Sequence, residues 1–77
     1  MEAHMGRRTM ARAIRLLQIL RLLKDRPHSV AELAAACGVS ERTARRDLLD
    51  LQGEPIYAPL LRREERTTRW RFLGDCP

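Results

Sequence analysis

Between Thr9 and Lys24 the apolar residues Met10, Ala13, Ile14, Leu16, Leu17, Leu20 and Leu23 share one broad arc, with Arg12, Arg15 and Gln18 opposite. At about 100° per residue this spacing predicts an amphipathic helix. Pro27 stops it, because proline disfavours helical geometry in the residue before it. Ile19 and Leu22 fall outside the arc. They lie three apart on the arginine side and are therefore neighbours there. They read either as single surface hydrophobes or as a contact for a partner, which a domain this small often needs.

A second helix follows at once. Ser29 and Glu32 form a capping box, in which each side chain satisfies an orphan N–H of the first turn. Val30, Leu33, Ala34 and Cys37 then make one buried stripe. Gly38 supplies a left-handed exit after about eight residues. Only Val39 separates it from Ser40, an N-cap for a third helix over Glu41–Leu51, whose first turn is favoured by the charge of Glu41. Ala44, Leu48 and Leu51 face inward, and Gly53 and Pro55 end the helix. Two short helices joined by a tight glycine-containing turn form a helix-turn-helix.

The period then changes. Leu60–Arg63 and Arg69–Leu73 are predicted strands around a Glu64–Thr68 loop, with Trp70 and Phe72 on one face and Arg69 and Arg71 on the other. A hairpin after a helix-turn-helix is a wing. The expected fold is therefore α+β, a three-helix winged helix-turn-helix with a C-terminal β-hairpin wing. The expected organisation is a flexible N-terminus over 1–8, in which His4-Met5 has the form of a cloning remnant, one domain over 9–73, and a frayed tail over 74–77.

Charge turns this fold toward a polyanion. Fifteen Lys+Arg face ten Asp+Glu, a formal net charge of +5, which favours nucleic acid or an anionic membrane surface. Lys24 is the only lysine. The arginine excess fits bidentate contact with phosphate and guanine, and equally a genomic base-composition bias. No apolar run approaches the length needed to span a membrane, and Met1–Met5 carries no signal-peptide pattern.

Catalytic and metal chemistry find no foothold in the pattern. Cys37 and Cys76 lack metal-ligand spacing and number too few for a disulfide scaffold. Cys37 occupies a core position, and a reducing cytosol fits both thiols. The two histidines, His4 and His28, have no nucleophile to serve, and no glycine-rich phosphate loop is present. No enzyme, cofactor or metal is expected, and His28 reads as linker.

The candidate chemistry lies on the third helix. Arg42 and Arg46 are four apart on its outer face, placed for a major groove, where arginine to guanine is the commonest specific contact. Arg45 follows Glu41 at i, i+4 and is read as divided between DNA and an intrahelical ion pair. Ser40 is a cap with room for a phosphate contact. Asp47 flanks the buried stripe and is read as orienting an arginine. Arg62, Arg63, Arg66, Arg69 and Arg71 crowd the wing, with Arg66 at its tip placed for the DNA backbone or minor groove. Trp70 and Phe72 are read as core under the wing rather than as a stacking platform for bases.

Three stretches, "SVAELAAACGVSERTARRDLLDL", "GEPIYAP" and "RWRFL", resemble the N-terminal DNA-binding domain of WYL-domain transcriptional regulators, within the DeoR-like winged-helix group. "RAIRLLQILRLL" extends the likeness to the first helix. The resemblance implies a cytoplasmic, nucleoid-associated bacterial or phage regulator that binds double-stranded operator DNA as a homodimer. It adds Thr43 to the DNA-contacting set. Two positions depart from the family pattern: Ala44 stands where Ile or Val is usual, and the wing loop lacks a glycine. The ligand-sensing WYL domain is also missing, so the chain is either a fragment or a stand-alone domain. Two other functions remain: a protein–protein winged helix using Ile19, Leu22 and the wing, and a binder of RNA or single-stranded DNA.

Overall fold

The computed structural model describes residues 2–74, with side chains from Met10 onward. Three helices, α1 (Glu2–Asp25), α2 (Val30–Cys37) and α3 (Glu41–Gln52), precede a 3-10 turn at Ala58–Leu60 and two antiparallel strands. The strands β1 (Leu61–Arg63) and β2 (Trp70–Phe72) pair Leu61 with Phe72, Arg62 with Arg71 and Arg63 with Trp70. This is a winged helix-turn-helix. The tail that closes it differs from expectation in one respect. Gly74 is buried rather than frayed, so close to Phe72 and Leu60 that an added Cβ would lie 2.6 and 2.7 Å from their atoms. Residues 75–77 of the expected frayed tail lie outside the described residues.

The α2–α3 unit forms for the reasons its sequence gives. Glu32 N–H donates to Ser29 Oγ at 3.1 Å, and Ser29 N–H donates to Glu32 Oε1 at 2.9 Å. Gly38 takes φ +68, and Val39 N–H returns to the Ala34 carbonyl at 3.0 Å. Ser40 Oγ accepts from Thr43 N–H at 3.1 Å. Replacing Ser29 by Ala is expected to cost about 1 kcal/mol in urea unfolding.

The cap also predicts a pH dependence. The Ser29 backbone N–H, helped by the charge of Arg69, holds the Glu32 carboxyl below the usual carboxylate range. A depressed folded-state pKa adds stability above the unfolded value of about 4.3, and loses it as pH falls through the folded value. Melting temperature should therefore drop on acidification, and Glu32→Gln should flatten that part of the curve.

The core joins Ile19, Leu20 and Leu23 of α1, Leu33 and Ala34 of α2, Ala44, Leu48 and Leu51 of α3, and Leu61, Trp70 and Phe72 of the sheet. The rings of Tyr57 and Phe72 meet edge-on at 6.0 Å. Trp70 and Phe72 are thus core, as their shared strand face implied.

Helix α1 departs from the reading of its pattern in two ways. It begins at Glu2, seven residues before the expected start, so 2–8 is helical rather than a flexible lead-in. Nothing there forbids a helix: no proline occurs, and Gly6 weakens a helix without ending it. Its buried side is also rotated. Ile19, expected on the exposed arginine side, is fully buried, and Leu22 is partly buried against the core. Neither therefore offers the open partner contact expected of the pair. Met10 and Ile14, expected inside, are 64% and 59% exposed. Ile19 packs into the core from that side, and Arg12 and Arg15 there pair with Asp50 and Asp47 of α3, so the arginine side packs without leaving a buried charge alone.

The wing is tied down more firmly than a hairpin alone. His28, expected in a linker, is buried and forms an antiparallel bridge with Trp70, at 2.9 and 2.7 Å. Its ring nitrogen Nδ1 lies 2.8 Å from the Arg26 carbonyl oxygen. Arg69 leaves the hairpin surface to pair with Glu32 of α2. In the wing loop Thr68 adopts φ +55, the conformation a glycine would supply. A β-branched residue is strained there by roughly 1–2 kcal/mol. Thr68→Gly should recover about 1 kcal/mol of this, raising the thermal midpoint by several degrees.

Candidate nucleic-acid interface

Helix α3 owes its position to its two flanks. On the inner side Ala44, Leu48 and Leu51 are buried with Asp47, which is 1% exposed. Asp47 is held by Arg15, whose Nε and Nη2 donate to the two carboxylate oxygens at 2.5 and 3.2 Å. The pairing raises the Arg15 pKa, chiefly through this side-chain bond, so the guanidinium stays charged. One turn on, Arg12 meets Asp50. Asp47 and Asp50 are thus paired from α1, which leaves Glu41 in the first turn as the exposed acid of α3 that α1 does not pair. Asp47 does orient an arginine, and that arginine belongs to α1.

The outer side keeps its charge. Arg42, Arg45 and Arg46 are exposed, and Thr43 is half-buried beside them. Among the described residues none of the three arginines makes an ion pair or hydrogen bond. The expected sharing of Arg45 with Glu41 does not form. Ser40 is occupied by its cap and donates its hydroxyl proton to Thr43 Oγ1 at 3.1 Å.

Arg45 turns toward the wing. It lines a groove with Ser29 at the start of α2, Leu49 of α3, and Arg63, Thr68 and Trp70 of the hairpin. Arg42, Thr43 and Arg46 stand outside this groove, and Arg66 is exposed in the wing loop. Arg62, Arg63 and Arg71 are exposed as well. The wing arginines therefore divide: Arg69 ties the wing to α2, and the rest face outward.

The match to known sequences agrees with this geometry. Residues 15–58, more than half of the chain, match the HTH domain family. The chain belongs to that family. No curated protein and no solved structure matches it. The matched span of this HTH domain runs from Arg15 through the α2–α3 unit to Ala58, and so includes both partners of the Arg15–Asp47 pair. DNA is the partner class that an HTH domain implies.

Two outward residues escaped the sequence reading. Arg63 was one of a crowd of wing arginines, and only the fold brings it into a groove with Arg45. Leu49 follows Arg42 by seven positions, so helical phase alone places it on the arginine face. Cys37 is half-buried, and burial raises its thiol pKa, which keeps it protonated and unreactive. Among the described residues no group of three His, Cys, Asp or Glu could hold a metal ion. No described helix is long and apolar enough to cross a membrane.

Proposed function

We propose that this HTH domain is the sequence-reading unit of a transcription regulator similar to the WYL-domain, DeoR-like regulators of bacteria and phages. Helix α3 enters the major groove of duplex DNA. Arg42 and Arg46 contact base edges, Thr43 and Arg45 support them, and Ser40 approaches a phosphate while capping the helix. Arg66 takes the sugar-phosphate backbone or the minor groove. The observation that carries this reading is the charge of α3: three exposed arginines without ion-pair partners outnumber one exposed acid, Glu41, while Asp47 and Asp50 are paired from α1. Phosphates and guanine edges satisfy such a face directly, whereas a protein partner would have to supply a matching set of carboxylates.

Homodimeric binding to a palindromic operator, and a ligand-sensing domain elsewhere in the regulator, belong to the same proposal. The dimer surface must then lie away from the buried Ile19.

Titration of duplex DNA at several salt concentrations tests the assignment. Arg66→Ala should weaken binding to all sequences alike and lower the salt slope by about 1. Arg42→Ala should instead erode preference among sequences. Wild-type binding by both variants would remove these residues from the interface. Self-association without duplex binding at low salt would favour a protein–protein module.

A further inference from the structure

We propose that Leu49 reads the C5-methyl group of a thymine in the bound duplex, as a specificity-determining residue that acts beside the arginines. This rests on the DNA-binding reading of α3. Leu49 is 57% exposed although it lies between the buried Leu48 and Leu51. At 3.6 residues per turn it stands about 20° from Arg42 and about 60° from Arg46 around the helix axis. It is therefore on the face that enters the groove. Among the described residues the other large exposed hydrophobics, Met10, Ile14, Ile56 and Leu73, lie outside α3.

The surroundings of Leu49 identify its partner. Arg45 and Arg63 line the same groove with a single acid, Glu41, and Arg42 and Arg46 share its helical face, so the balance there is positive. A protein surface that covered Leu49 would also have to neutralise these cations. Duplex DNA does both at once, since phosphates take the guanidinium groups and thymine offers the apolar methyl of the major-groove edges. Seven residues separate Leu49 from Arg42, about 10 Å along the helix, so the thymine belongs to a different base pair from the one Arg42 contacts.

The test uses the full chain and the duplex it selects from a random pool. Each thymine is replaced singly by deoxyuridine, which removes only the methyl group. One thymine per half-site should then weaken wild-type binding about four-fold, the worth of one buried methyl-sized group. Leu49→Ala should bind the thymine and deoxyuridine duplexes equally while melting like wild type, because Leu49 is outside the core. Insensitivity to deoxyuridine at every position overturns the proposal. So does an unchanged thymine preference in Leu49→Ala, or a selected pool without a consensus thymine. Failure of wild type to bind any duplex at low salt overturns the DNA-binding reading itself, and the proposal with it.

Discussion

Arg15→Met should destabilise the domain by about 3–5 kcal/mol in urea unfolding, the cost of leaving a buried charge without its partner. Asp47 is 1% exposed, and among the described residues Arg15 alone hydrogen-bonds its carboxylate. A chain of 77 residues has a total stability of roughly 4–12 kcal/mol, so the variant is expected to be largely unfolded or to melt far below wild type. The pair is costly to break and replaceable as a whole. Arg15→Met combined with Asp47→Leu removes both charges and should recover most of the loss, since an apolar pair of similar volume is often neutral or stabilising. Wild-type melting of the single variant would show that α3 is held by its hydrophobic stripe alone.

The second large effect falls on binding and leaves the fold intact. Arg42→Ala with Arg46→Ala should weaken binding to the selected duplex by at least about 30-fold. Each good arginine–guanine contact is worth about 1–3 kcal/mol, and about 1.4 kcal/mol is a factor of ten. Both side chains are exposed, so the double variant should melt like wild type. Binding to a scrambled duplex should fall much less, because the wing and the remaining arginines still meet phosphate. An equal loss on both duplexes would assign Arg42 and Arg46 to phosphates rather than bases.

These two predictions fall on either side of what the sequence revealed. The α2–α3 unit was legible almost to the residue because its signals are local: Ser29 with Glu32, Gly38, Ser40 and a single apolar stripe. The outer arginines followed from the same phase. Helix α1 was not legible in this way. Its apolar residues spread over a wide arc, and the partners that let its arginine side pack, Asp47 and Asp50, lie more than thirty residues away in sequence and are invisible to periodicity. His28 was missed because its bridge to Trp70 is made by backbone groups, which leave no mark on side-chain pattern. Thr68 was missed for the opposite reason. Its residue type argues against the left-handed conformation that closing the wing imposes on it. Leu49 was readable from its seven-residue spacing to Arg42, and only its exposure in the fold gave that spacing meaning.

The central claim, that α3 and the wing read a duplex sequence, is tested most directly by selecting bound duplexes from a random pool with the full chain at low salt. The account predicts enrichment of one palindromic consensus whose half-sites contain guanine for Arg42 or Arg46. Retention of the pool without enrichment, or no retention of duplex at all, would contradict it.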